Sequence, residues 1–382
     1  MRISSACIYS LNIPFVESFR HSLHERNSSD SIVVKVATEC GISGYGEGVP
    51  RSYVTGETRK TAVEHVRSEL LPRILGAELE GIDPCCAFEY MHGLLPDSDA
   101  ETGGAVVWNA SRCAVELAVI DCLFRIRNAS VAAILTPVSQ NITYSAVIGA
   151  NSIARTEKIA HNCKAAGFKY VKMKVSGDED SERIAMVRKI LGPSVSIRLD
   201  ANGAFSLETA RQFMASAEEF DIECIEQPVP RGNPIELATL RSSSPIPIMA
   251  DESVVTILDA KELIQKKAVD YFNLRISKCG GLYRTLAIAD LARFAGIGIQ
   301  LGCQVGETAI LSAAGRHLAA HLADLHFVEG SYGTHLLTED IAEENIVFGA
   351  GGNAPILTGP GLGVTVREEL VDKYAENIIT VR

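Results

Sequence analysis

Three acidic residues close short apolar runs in the second half of the chain: Asp200 in IRLDAN, Glu226 in IECIEQP and Asp251 in PIMADES. They stand 26 and 25 residues apart, the span of one strand, one helix and two short loops. Two lysines in YVKMKV, Lys172 and Lys174, come one step earlier, with Lys174 26 residues before Asp200. If each step is one β/α unit of a closed parallel barrel, the strand ends gather on one face. Three carboxylates and an amine then converge on a pocket. Carboxylates packed that closely repel unless a hard dication lies between them, so the spacing points to a metal enzyme.

Strand geometry extends the set. Residues two apart on a strand share a face, so Lys172 and Lys174 point into the same lumen. Two neighbouring ammonium groups and a nearby dication each disfavour the charged amine, which predicts lysine pKa values lowered toward those of a working general base. Asp200 and Asn202 share a face in the same way, as do Asn273 and Arg275. A Lys-x-Lys alone more often marks a solvated strand, and Asp-x-Asn, Glu-Gln-Pro and Asp-Glu-Ser are individually no stronger. Their joint order and spacing carry the argument.

The elements that must position these groups are legible as a rhythm. Strand patterns run through ITYSAVI, YVKMKV, VSIRLDA, IECIEQP, IPIMADE, YFNLRIS, GIQLGC and LHFVEG, with helical patterns such as SERIAMVRKIL and LYRTLAIADLARFAG between them. That predicts an α/β fold, a modified (β/α) barrel over residues 131–335. Residues 1–130 do not follow this rhythm. MRISSACIYSL and SIVVKVATECG alternate as strands around a polar stretch, VESFRHSLHERNSSD, and GISGYGEG reads as a turn into a further strand. TRKTAVEHVRSELLPRIL and WNASRCAVELAVIDCLFRI have helical spacing, so this part is read as an α+β capping domain. The Gly/Pro-rich segment 336–382 ends in a short helix and is expected to pack back on the first domain.

Composition excludes several classes. A net charge of −11 over 382 residues, with no basic run, argues against nucleic acid. No apolar stretch approaches the roughly 18 residues of a membrane span, and the N-terminus lacks a signal-peptide pattern. Ten cysteines without CxxC spacing, several inside apolar patterns, read as reduced thiols and a cytoplasmic protein. A homo-oligomer is expected.

Taken together, GYGEG, KMK, LDAN, IEQP, ADES and SKCGG resemble the muconate-lactonizing (muconate cycloisomerase) subgroup of the enolase superfamily, in the mandelate racemase/muconate lactonizing enzyme family. The resemblance runs over most of the chain. It implies a capping domain over a modified barrel, one Mg²⁺ (with Mn²⁺ as an alternative), and removal of the proton α to a substrate carboxylate to form an enediolate. It makes Asp200, Glu226 and Asp251 metal ligands and Lys174 the base, with Lys172 tuning it and touching the carboxylate.

One position departs from the pattern. The subgroup's second lysine sits on the sixth strand, where this chain reads Asn273-Leu-Arg275-Ile-Ser-Lys278-Cys-Gly-Gly. Arginine is a poor proton acceptor, and alternation points Lys278 to the other face or beyond the strand. Arg275 suits anion stabilisation, and one-base chemistry such as cycloisomerisation or syn elimination. Epimerisation of dipeptides or N-acylamino acids, which needs an acceptor on each face, is the alternative; a catalytically silent binding barrel is another. Dipeptide epimerases of the subgroup carry Asp-x-Asp on the eighth strand; here Glu329 is the single acid. The polar loop 15–30 resembles a mobile substrate-closing loop, which makes Phe19, His21 and Arg26 substrate contacts beside Asn202, Asn273, Cys303, Gln304 and Glu329. The expected ligand is a small-molecule carboxylate.

Overall fold

The computed structural model describes residues 1–20, 25–95, 106–177 and 179–382. Five strands open the chain: β1 (Ile3–Leu11), β2 (Pro14–Arg20), β3 (Glu25–Ser28), β4 (Ile32–Thr38) and β5 (Ser43–Gly48). The polar stretch predicted as a loop is the β2–β3 hairpin; Pro14 pairs with Ser28 and Phe19 with Arg26. His21 lies outside the described residues.

β1, β4 and β5 form an antiparallel sheet, joined at its edge by β16 (Ala375–Val381) from the chain's far end. The chain does not end in the expected short helix, seen over Glu368–Tyr374, but runs on into this strand. Its residues are mostly exposed, so it carries no apolar alternation, and its pairing, Ala6 with Val381, is long-range.

The helix Asn109–Ile126 lies across β5, buried from Asn109 to Phe124. Gly44, Gly46 and Gly48 share one face of β5 and let it approach. A Cβ on Gly46 would stand 2.1 Å from the Ala114 carbonyl oxygen, and one on Gly48 2.0 Å from that of Ala110. Between these glycines, Glu47 points to the barrel and caps the helix Ala309–His321. Its carboxylate accepts from the Thr308 N–H and Oγ1 and from the Leu311 N–H.

The barrel strands follow. ITYSAVI is two elements: β6 (Asn141–Thr143) pairs antiparallel with β15 (Asn353–Pro355), and β7 (Ala146–Ile148) starts the barrel. β8 (Tyr170–Lys174), β9 (Ser196–Asp200), β10 (Cys224–Glu226), β11 (Ile248–Ala250), β12 (Tyr271–Leu274), β13 (Gly298–Leu301) and β14 (Leu325–Val328) add in parallel, each beside the one before. The Ser145 N–H donates to the Val328 carbonyl at 2.8 Å and ties the first strand to the last. Helices on the outside cover the strands' apolar faces, as buried parallel strands require. Among the described residues no helix is long and apolar enough to cross a membrane.

Candidate active site

The strand ends meet as the spacing predicts. Lys174 closes β8, Asp200 closes β9 and Glu226 closes β10, with Lys174 in register beside Asp200 and Asp200 beside Glu226. Asp251, Arg275 and Glu329 each follow the last residue of their strand, β11, β12 and β14. All lie at the carboxyl end of the barrel, where loops of a β/α barrel build a site.

Lys174 Nζ donates to Asp200 Oδ2 at 2.6 Å and to Asn202 Oδ1 at 2.7 Å. Lys172 Nζ lies 2.6 Å from Glu329 Oε2, 3.2 Å from Asp200 Oδ2 and 3.3 Å from Glu226 Oε2. The expected lowering of the Lys172 pKa is not what this arrangement produces. Burial pulls it down, but Glu226, Glu329 and Asp200 outweigh burial and hold it well above the ordinary value. The lowering was expected from the neighbouring amine and a nearby dication; the three carboxylates around Lys172 act in the opposite direction.

The carboxylates differ among themselves. Burial raises the Asp200 pKa, yet Lys174 and Lys172 bring it below the usual range. Burial likewise opposes the lowering of Asp251 by Arg275 and Lys278. Glu226 is pushed up to about 7, first by burial and then by Asp200, against the pull of Lys172. Glu252, next to Asp251, is also raised to about 7 by burial and by Asp251 and Asp200, and its Oε2 is buried with no hydrogen-bond partner. An all-oxygen, carboxylate-rich set, with Glu226 and Glu252 raised by burial and neighbouring anions and the Glu252 Oε2 unpartnered, fits a hard dication such as Mg²⁺. As they stand, no three acidic, His or Cys side chains among the described residues are arranged to hold a metal ion. Basic side chains take their oxygens instead.

Arg275 is the most prominent of these. It pairs with Asp251 Oδ2, lies 3.5 Å from Glu226 Oε1, and donates to Gln304 Oε1 at 3.2 Å. Lys278, placed by alternation on another face or past the strand, is past it, on the helical turn Ile276–Cys279. That turn swings its amine back under the site, 2.9 Å from Asp251 Oδ1 and 2.6 and 2.7 Å from the carbonyls of Asp251 and Asn273.

A cavity of about 560 Å³ opens above this floor. Lys172, Lys174, Arg275, Cys303, Gln304, Glu329 and Phe19 all line it. Asn202 and Asn273 lie below: Asn202 joins Lys174 to Glu252, and Asn273 Nδ2 donates to Glu226 Oε1 at 2.6 Å. Arg26 is not brought to the cavity wall; it pairs with Asp30 at 2.5 Å. Asn202 and Gln227 adopt left-handed backbone, φ 46° and 40°, in the turns after β9 and β10. Strain of that kind persists where surrounding structure imposes it. Gln227 is fixed by the N–H groups of Asp251 and Ser253, both donating to its Oε1.

Several groups escaped the sequence reading. Arg198 in IRLDAN is fully buried, donates to Glu329 Oε1 at 2.8 Å and stacks 4.0 Å over the Phe327 ring. It shares a strand face with Asp200, so alternation could have found it. Glu307 lines the cavity after β13, and burial pushes it up to about 8. Only its neighbourhood to Glu47 and Gln304 in the folded chain marks it out.

Residues 6–136 match the mandelate racemase/muconate lactonizing enzyme N-terminal domain, and residues 155–370 the enolase C-terminal domain-like family. A hydrophobic dipeptide epimerase of Enterococcus faecalis is 30% identical over 84% of this chain and 87% of its own. Its crystal structure, complexed with Mg and the dipeptide L-Leu-L-Tyr, superposes with a TM-score of 0.84 over 96% of this chain and 100% of that one, at 27% identity. The N-succinyl-L-Arg/Lys racemase of Bacillus cereus is 28% identical over 98% of both chains, and its structure gives a TM-score of 0.90 over 100% of both. Muconate cycloisomerase 1 of Rhodococcus opacus is 29% identical over 96% of both. These matches set aside the silent-barrel alternative. The chain is an enzyme and belongs to the mandelate racemase/muconate lactonizing enzyme family of the enolase superfamily.

Proposed function

We propose that this enzyme removes the proton α to the carboxylate of a small substrate, with Lys174 as the base, and carries the reaction forward on one face as a cycloisomerase or syn-eliminating lyase. The observation that carries the reading is an asymmetry across the cavity. β8 is the second and β12 the sixth of eight strands, so Lys174 and Arg275 face each other from opposite walls. Arg275 is held charged by its carboxylate partners and accepts no proton at neutral pH.

Asp200, Glu226 and Asp251 are the residues that would hold Mg²⁺, with Mn²⁺ as an alternative. A bound dication would supply Lewis-acid stabilisation of the charge that develops on the substrate carboxylate. Lys172, between Glu226 and Glu329, orients that carboxylate and keeps its positive charge. Lys174 receives the α-proton on Nζ, steered by Asp200 and Asn202. Arg275 offers a fixed cation on the far side, where it stabilises negative charge without exchanging a proton.

A second reading, epimerisation of a dipeptide or N-acylamino acid, is favoured by the names of the epimerase and racemase relatives. Following α-proton exchange in deuterated solvent by NMR separates the two. The one-face reading expects deuterium to enter with retained configuration and Lys174→Ala to abolish it. Incorporation with inversion in the wild type refutes it in favour of epimerisation.

A further inference from the structure

The two edges of the capping sheet are finished differently. At one, β5 meets the helix Asn109–Ile126, whose side chains take its outward backbone groups. The Tyr45 N–H donates to Asp121 Oδ2 at 2.9 Å, and the Glu47 carbonyl accepts from Cys113 Sγ at 3.4 Å. At the other edge, β16 pairs with β1 alone, and no strand among the described residues lies on its far side. A strand turns its backbone N–H and C=O groups to its two sides in alternation, so half of those on β16 face outward.

Nothing in β16 guards that edge. Its seven residues, AENIITV, contain no Pro and no Lys, and the one irregularity in its pairing falls beside Ser10 and Leu11, at the strand's start. Ile378, in the middle, is 48% exposed. Ile378, Ile379, Thr380 and Val381 are all β-branched, the side chains that pair best across strands. The only charges are Glu376, near one end, and Arg382, one residue past the other.

We propose that a second copy of this chain covers the edge, β16 against β16 in antiparallel pairing, so that two four-stranded capping sheets join about a two-fold axis. Symmetry restricts the register. Opposed residues of an antiparallel pair share a face, so the axis passes through a residue and not between two. An axis through Ile379 sets Glu376 opposite Arg382 at both ends, Ile378 opposite Thr380, and Ile379 opposite its own copy. An axis through Ile378 sets Glu376 opposite Thr380, and one through Thr380 sets Ile378 opposite Arg382; both leave the charges unmatched. Charge complementarity therefore selects Ile379. Glu376 accepts from Asn12 and Arg59 of its own chain and is still half-exposed, which leaves it open to the second copy's Arg382.

Sedimentation velocity of the full chain over a range of concentrations tests it, with an assembly of twice 41.1 kDa, or an even multiple of the chain, expected. Ile378→Lys sets a charge in the middle of the edge and is expected to raise the dissociation constant of the pair by roughly tenfold or more. Arg382→Glu, which opposes like charges at both ends, should weaken it as well, and adding Glu376→Arg to that variant should restore association. Thermal melting shows that each variant is folded. Wild-type hydrogen exchange needs no substitution: at concentrations where the assembly forms, every amide along residues 377–381 should be slowed, whereas a free edge slows only alternate ones. A monomer at every concentration overturns the proposal. So does an assembly that Ile378→Lys leaves intact, a charge reversal that the double change does not rescue, or alternate amides of β16 that exchange freely within the assembly.

Discussion

Asp251 is gripped from two sides, by Arg275 above and Lys278 below, and the two cations do different work. Lys278 is fully buried, and its three acceptors include two backbone carbonyls, so it fixes the turn after β12 as well as the carboxylate. Lys278→Met leaves Asp251 with one partner fewer in a dry site; a loss of about 3–5 kcal/mol is expected, the usual cost of breaking a buried pair. Chemical denaturation checks this, and millimolar Mg²⁺ should recover part of the loss because a dication replaces the missing charge. Arg275→Lys keeps the charge but not the fork that spans Asp251 and Gln304, so kcat/KM on the native substrate should fall. In the same variant, α-proton exchange with inversion should appear for the first time, since an amine on that wall can accept a proton. Exchange that remains confined to one face in Arg275→Lys would show that position, not proton affinity, is what the arginine lacks.

The elements hold this site by joining the capping sheet to the barrel mouth. β5 presents three glycines to the helix Asn109–Ile126 and, from its other face, Glu47 to the helix Ala309–His321. Gly46→Ala drives a methyl into the Ala114 carbonyl, and backbone on both sides leaves little room to move. The expected destabilisation is about 1–3 kcal/mol, typical of overpacking, read as a lower denaturation midpoint. A substitution without effect would mean that β5 and the helix can separate freely, against the close contact described. The same change should leave metal affinity nearly intact, since no ligand lies on β5.

For the whole molecule, buried acids contribute to the response to pH, and Glu307 and Glu47 do so beside Glu226 and Glu252. Glu307 rises from 4.5 to about 8 and Glu47 from 4.5 to about 7, each chiefly through burial. The folded chain therefore binds these protons more tightly than the unfolded chain. Their contribution is complete below pH 4.5 and is lost as pH rises through 7 and then 8. Stability should decline over that window, and Glu307→Gln should flatten the upper part of the decline. A slope unchanged by that substitution would place the titration elsewhere. Metal adds a second lever: Mg²⁺ at a hundred times its Kd should stabilise the fold by about 2.7 kcal/mol, and chelation should remove it. Asp200→Asn is expected to abolish that increment.

What the sequence determined by itself was whatever repeats with the barrel. Asp200, Glu226, Asp251 and Lys174 recur at one β/α interval, and a strand end fixes where a side chain points, so their convergence follows from counting. Glu329 and Cys303 could be placed on the same wall by the same logic. The tertiary structure alone decided how the charges are shared out. The return of Lys278 depends on a helical turn that breaks strand alternation. Arg198, the partner of Glu329, lies one layer below the pocket, and the raised pKa of Lys172 depends on three carboxylates from three other strands. β16 was invisible for a related reason: an exposed edge strand carries no apolar period, and its partner lies at the opposite end of the chain. Local pattern encodes direction and burial; the balance of charge in a buried cluster is a sum over contacts that only the folded chain brings together.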